Sequence, residues 1–397
     1  MANRRFFIQF LASAMGSITL GKMLVGCKNP NAQSPVTNNL QTAMTSNDFS
    51  GSMPDESEQH KCTWMAFGAS EEIWGRELLS GVQDNLAAIA RAIVKYEPVK
   101  MLVREEDYNI AAQKCGSEVE LIVASLDDLW MRDTGPVFVV DGKGKKAGID
   151  FNFNGWGEKQ EYDRDARVAD FVAQQSNVPL IYTNLVFEGG GVEVDGNGTA
   201  IITESCILND NRNPGLTKAD CEAELKALLG LRKIIWLPGI AGYDITDGHT
   251  DFYARFAHPG TVIAALETDP NSLDYDVTKQ HLDILNSATD ADGNKLEVFV
   301  IESPKRIRPG FENDEFAAGY INFYVMNGAV IAPEFGDSKA DRRAKEVLQK
   351  LFPNRDIIQL NIDYIAAGGG GIHCTTQQEP IDVKHSKALA SFYLKLA

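Results

Sequence analysis

Gly191-Val-Glu-Val194, Asp195-Gly196-Asn197-Gly198 and Thr199-Ala-Ile-Ile-Thr203 run together as one stretch. Two short apolar, β-branched runs flank an Asp-Gly/Asn-Gly turn, the strongest short-range signal for a β-hairpin. The pattern returns along the chain. Pro136-Val-Phe-Val-Val140 leads into Asp141-Gly142-Lys143-Gly144. Phe252-Tyr-Ala-Arg-Phe256 turns at His258-Pro259-Gly260 into Thr261-Val-Ile-Ala-Ala265, and Ile321-Asn-Phe-Tyr-Val325 turns at Asn327-Gly328 into Ala329-Val-Ile-Ala332. Apolar residues at helical spacing predict helices over 76–96, 218–229, 275–287 and 339–351. Each is followed by a β-rich run: 99–103, 233–236, 296–301 and 356–360. The hairpins recur roughly every 55–70 residues, the mark of a repeated supersecondary unit. With Cys62–Phe67 opening a further unit, about five copies fit, each ordered strand, strand, helix, strand. The chain is therefore α/β, and no linker interrupts 59–397, which reads as one domain.

The first segment is not part of that fold. Asn3-Arg4-Arg5-Phe6-Phe7-Ile8 carries twin arginines, and a moderately apolar stretch follows to Leu24-Val25-Gly26-Cys27. The stretch is too short and too rich in Gly and Ser to span a bilayer comfortably. Residues 1–26 resemble a twin-arginine signal joined to a lipoprotein cleavage box, which would leave Cys27 as a lipidated N-terminus. Residues 27–58, rich in Asn, Ser, Pro, Gln and Thr, then read as a flexible, solvated tether. The expected location is the bacterial cell envelope, periplasmic and held to a membrane by the lipid alone.

The formal charge is −17, and loss of residues 1–26 would remove Arg4, Arg5 and Lys22 but no acid. Such a surface disfavours nucleic acid and suits a cationic substrate. With Cys27 lipidated, Cys62, Cys115, Cys206, Cys221 and Cys374 remain, an odd number that leaves at least one free thiol. No Cys/His spacing of a zinc site appears, and no metal is expected.

Four polar clusters stand at predicted strand edges. Gly368-Gly369-Gly370-Gly371-Ile372-His373-Cys374-Thr375-Thr376 places one thiol behind a run of freely turning backbone. That suits a presented nucleophile, and equally a linker ending in a buried Cys. Thr246-Asp247-Gly248-His249-Thr250-Asp251 sets an imidazole and a carboxylate two residues apart, on one face if the backbone is extended. Trp130-Met131-Arg132-Asp133-Thr134-Gly135-Pro136 and Phe187-Glu188-Gly189-Gly190-Gly191 each offer a carboxylate. His373, next to Cys374 in a run read as extended, should face away from the thiol and be structural. Cys62, Cys115, Cys206 and Cys221 fall inside strand or helix patterns and read as core.

Together with FNGWG at 153–157 and NGAVIAPEFGD at 327–337, these motifs resemble the agmatine deiminase / bacterial (Porphyromonas-type) peptidylarginine deiminase family of guanidine-modifying enzymes. The resemblance runs through nearly all of 59–397. It implies a five-bladed, pentein-like α/β propeller of ββαβ units with pseudo-fivefold symmetry. It further implies Cys374 as nucleophile, His249 as general acid/base and Glu188 against His249. Asp133 and Asp251 would grip the guanidinium, whose fork of N–H donors matches carboxylates. Trp130 could pack on the substrate stem or equally belong to the core, and Asn154, Trp156 and Glu158 lie in a loop that could reach its tail. The chemistry would need no cofactor.

The implied reaction converts agmatine to N-carbamoylputrescine and ammonia through a covalent thiouronium, a step of polyamine metabolism toward putrescine. An exported location raises the alternative of a peptidylarginine deiminase that makes protein citrulline. An amidinotransferase would use similar groups with an amine in place of water. A lipid-tethered binder of cationic ligands is the alternative from another class. The full set of Asp133, Glu188, His249, Asp251 and Cys374 argues against it, since a binder needs no thiol.

Overall fold

The computed structural model describes residues 49–382. The expected signal segment 1–26, Cys27 and residues 28–48 of the tether lie outside the described residues. Five sheets each contain an antiparallel pair and a parallel strand brought in by a helix. The hairpin that opened the sequence reading is typical. Val192–Val194 pairs antiparallel with Thr199–Thr203, and Lys233–Leu237 returns parallel after the helix Lys218–Leu229. Asp195 fixes the turn, its Oδ1 accepting the backbone N–H of Asn197 and Thr199 at 2.8 Å each. The helix starts in a capping box between Thr217 and Asp220 and stops at Gly230 in the left-handed region, φ 67°.

Three further units follow the same order. In one, Val137–Asp141 and Lys146–Asp150 are joined by the helix Val168–Ser176 to Leu180–Tyr182. In the next, Ala254–His258 and Thr261–Leu266 lead through Asp274–Ser287 to Glu297–Glu302. In the last, Tyr324–Met326 and Ala329–Glu334 lead through Ser338–Leu351 to Asp356–Asn361. The fifth sheet joins distant parts of the chain. Gln377–Pro380 pairs antiparallel with His60–Phe67, which pairs parallel with Val99–Val103 after the long helix Glu71–Ile93.

Two expectations are corrected. The tether reading of 27–58 fails over 49–58. Gly51–Ser52 adds a strand to the edge of Val137–Asp141, Phe49 and Met53 are buried, and Glu56 is 8% exposed. The predicted strand 321–325 forms only from Tyr324, because Ile321–Phe323 turn tightly: Phe323 N–H bonds the Ile321 carbonyl at 2.8 Å. That turn aims Asn322 at the nucleophile loop.

Candidate active site

The four sequence clusters meet around Gly190. A methyl group there would lie 2.6 Å from His249 Nδ1, 2.9 Å from Asp133 Oδ1 and 3.2 Å from Asp251 Oδ2. Only glycine leaves room for three side chains to converge. Cys374 joins them through Asp251, whose Oδ2 is 3.7 Å from Sγ. Asp133, Glu188, His249, Asp251 and Cys374 are all buried, the most exposed of them at 7%.

Cys374 does not lie in an extended run. His373–Thr375 is a single 3₁₀ turn, so neighbouring side chains diverge less than on a strand. Asn322 holds the thiol from behind, its Nδ2 donating to Sγ at 3.2 Å, and its Oδ1 accepting the Cys374 N–H at 3.3 Å. The glycines earn their place sterically. A Cβ on Gly371 would strike Asn322, and one on Gly370 would strike the Trp130 ring. Burial first, then the charges of Asp251 and Asp133, push the Cys374 thiol well above its ordinary range. Cys374 is thus a neutral thiol in this arrangement, despite the nearby imidazole.

His249 precedes another 3₁₀ turn, Thr250–Phe252, which delivers Asp251. The two side chains share the site through that turn and not through an extended alternation. His249 Nε2 is 3.2 Å from Glu188 Oε2, and Nδ1 is 3.7 Å from Asp133 Oδ1. Burial favours the neutral ring, but Asp133, Cys206 and Glu188 outweigh it and hold His249 well above its ordinary value. Glu188 is itself fixed. Arg212 Nε donates to its Oε1 at 2.8 Å, and the Cys206 thiol donates to Oε2 at 3.3 Å. Arg212 also binds Asp247 Oδ2 at 2.8 Å and the Thr246 carbonyl at 3.1 Å, in the loop that leads to His249.

The two acids, Asp133 and Asp251, differ. Asp133 accepts Gly190 N–H and Trp156 Nε1–H at 3.0 Å each. Burial, countered by His249, raises it from 3.8 to about 6. Asp251 Oδ2 accepts from His373 Nδ1 at 2.7 Å, while Oδ1 is buried with no hydrogen-bond partner. Burial raises Asp251, but His373, His249 and Arg255 bring it below its ordinary value.

Trp130 is buried beside the glycine run, with its Nε1 on Asp128 Oδ2 at 2.9 Å and its ring 5.8 Å from Trp74. Trp156, with φ 56°, turns inward onto Asp133. Glu158 is exposed and Asn154 caps its own turn, so neither touches the convergent groups. Asn322, Arg212, Cys206 and Glu56 were not singled out as site residues in the sequence. Cys206 is buried as read, yet it bonds the partner of the imidazole. Glu188, Cys206 and His249 have donor types that suit a metal. The guanidinium on the other Glu188 oxygen already supplies a positive charge there.

Residues 52–380 match the family model of the Porphyromonas-type peptidyl-arginine deiminases. The agmatine deiminase of Medicago truncatula is 36% identical over 359 residues, covering 83% of this chain and 96% of that one. The agmatine deiminase of Pseudomonas aeruginosa is also 36% identical, covering 83% and 95%. The solved agmatine deiminase of Enterococcus faecalis superposes with a TM-score of 0.79 at 32% identity, over 86% of this chain and 99% of that one. Geometry, sequence and superposition agree that the chain belongs to the Porphyromonas-type peptidyl-arginine deiminase family.

Proposed function

We propose that this protein is an agmatine deiminase, with Cys374 as nucleophile and His249 as general acid/base. The observation that carries the reading is the unpartnered Oδ1 of Asp251, buried beside a thiol, a second carboxylate and an imidazole. A buried carboxylate oxygen without a donor is costly unless a ligand supplies one. A guanidinium supplies several N–H groups, in a plane that Asp133 and Asp251 can hold between them. Its charge also offsets the two acids that keep Cys374 protonated.

The thiol loses its proton as the cation docks, and sulfur bonds the guanidinium carbon. His249 donates its proton to the departing nitrogen, which leaves as ammonia and takes up the thiol's proton in solution. A thiouronium on Cys374 remains. Water then gives one proton to neutral His249 and attacks the carbon. The carbon–sulfur bond breaks, the oxygen's second proton restores the thiol, and the ureido product departs. Glu188 keeps the imidazole oriented throughout and favours its charged form before the first step and after the last.

The enclosure of all five groups supports a small substrate over an arginine within a protein chain. The five sheets are read as blades about a pseudo-fivefold axis. Export through residues 1–26 and lipidation at Cys27 complete the proposal and place the reaction in the cell envelope. The test is the full chain incubated with agmatine, free arginine and an internal arginine peptide, with ammonia and ureido product measured. Highest kcat/KM on agmatine is expected. Preference for the peptide would move the assignment to protein citrullination, and no turnover on any of them would end it. An adduct on Cys374, trapped by mass spectrometry, separates catalysis from simple binding.

A further inference from the structure

Glu56 lies in a stretch whose composition is that of a linker, yet its carboxylate is among the most fully engaged in the molecule. Oε1 accepts Arg255 Nη2 and the Val325 N–H at 2.8 Å each. Oε2 accepts Arg132 Nη2 at 3.0 Å and faces His373 Nε2 at 2.8 Å. The other nitrogen of the same ring is the one that meets Asp251 Oδ2 at 2.7 Å. An unbroken line therefore runs from Glu56 through one imidazole to a carboxylate at the site. Arg132 adds a brace, its Nε reaching the His373 carbonyl at 3.3 Å.

His373 is under opposing demands. Burial and the guanidiniums of Arg132 and Arg255 pull it toward the neutral ring. Two carboxylate oxygens within hydrogen-bond distance call for a proton on each nitrogen, which only the imidazolium carries. A neutral ring would set a bare lone pair against one of the two acids. The geometry decides for the imidazolium, and Glu56 is the counter-charge that makes it possible. Resting on the deiminase reading of the site, we infer that Glu56, acting through His373, is the positioning residue that holds Asp251 ionised with its free oxygen toward the substrate. Residues 49–58 are in that case part of the guanidinium-binding machinery and not a spacer.

Asp251 is faced by His373, His249, Asp133 and Cys374, and it feels Arg255. Of these, His373 is the group whose charge Glu56 controls. In Glu56→Gln the amide matches the shape but not the charge, His373 deprotonates and Asp251 loses its closest cation. The acid limb of kcat/KM steepens a second time where Asp251 titrates, below the step of Asp133, and that lower limb should then move up by about one pH unit. Glu56→Asp, which keeps the charge, should return the limb toward its original position. Nitrogen-15 spectra of labelled histidine, with the His373 signal identified by its loss in His373→Asn, should show both ring nitrogens protonated at neutral pH in the wild type. Only one should be protonated in Glu56→Gln. His373→Asn keeps an N–H toward Asp251 and breaks the link to Glu56. It should shift the limb alike, and adding Glu56→Gln to it should shift it no further. Where Glu56→Gln fails to fold, His373→Asn reads the same limb. An unmoved limb beneath a lowered melting temperature, or shifts that add, would overturn the inference in favour of a purely structural Glu56. A wild type inactive on every guanidine would instead overturn the reading of the site, and the His373 spectra would still decide the protonation claim.

Discussion

A cysteine beside a buried carboxylate occurs at both Cys62–Glu379 and Cys374–Asp251, with opposite outcomes. Glu379 accepts from Lys146 and Lys61 at 2.8 Å, Ser176 at 2.9 Å, Trp64 at 3.1 Å and the Cys62 thiol at 3.4 Å. Burial opposes its ionisation, yet the two lysines bring it down to about 2. Every lone pair has a donor, and the network fastens the strand Gln377–Pro380 to its neighbours. Asp251 has donors on one oxygen and none on the other. Saturation makes the first pair a fastening, and the missing donor makes the second a receptor. Both carboxylates are buried and both face a thiol; the count of satisfied lone pairs is what differs.

Exchanging the cysteines should give the largest contrast. Cys374→Ala is expected to lower kcat/KM by at least ~10⁴-fold with little change in melting temperature. Cys62→Ala should leave turnover intact while lowering stability. Equal losses of turnover would erase the distinction. Breaking the saturated network should do the converse. Lys146→Met leaves Glu379 with only the partly exposed Lys61 as counter-charge and should cost about 2–3 kcal/mol in denaturant unfolding, with the activity per folded molecule preserved.

The two regions should also answer pH with opposite slopes. Glu379 is depressed from 4.5 to about 2. Its contribution is present above about 4.5 and is lost as pH falls toward 2, on the order of 3 kcal/mol. Asp133 is raised from 3.8 to about 6. The folded state holds that proton more tightly, so ionisation penalises folding fully above about pH 6 and not at all below about pH 4. Asp133→Asn should therefore stabilise the protein by up to about 3 kcal/mol above pH 6, while turnover collapses. A stability gain independent of pH would show that ionisation is not the source of the strain. The smallest effect belongs to a third thiol–carboxylate pair, Cys206–Glu188. Cys206→Ala removes one donor to a charged acceptor and should cost about tenfold in kcat, while Cys206→Ser should retain most of it.

What could be read in the sequence was what local chemistry dictates. Asp195-Gly196 and Asn327-Gly328 announce their hairpins because the required turns favour those residues. Lys218–Leu229 was legible to the residue, since Thr217 caps it and Gly230 ends it. The glycine-flanked Asp133, Glu188, His249 and Cys374 stood out because polar groups at strand edges among glycines have no local purpose. Glu56 did not, because one acid among Ser, Pro and Gln looks solvated until Arg132 and Arg255 arrive from far along the chain. The extended backbone read for His373 and Cys374 was wrong because a 3₁₀ turn of three residues leaves no periodicity. The helix Val168–Ser176 and the strand Leu180–Tyr182 are too short to announce themselves.

The pairing of Gln377–Pro380 with His60–Phe67 has a consequence for the birth of the protein. The strand His60–Phe67 emerges more than 300 residues before the strand that covers its edge. Cys374 sits three residues before that strand, so sulfur and strand leave the ribosome almost together. A nascent chain with four sheets already formed would carry the acids and the imidazole of the site but no thiol. A chain cut before Cys374 would lack the thiol on which the proposed chemistry depends.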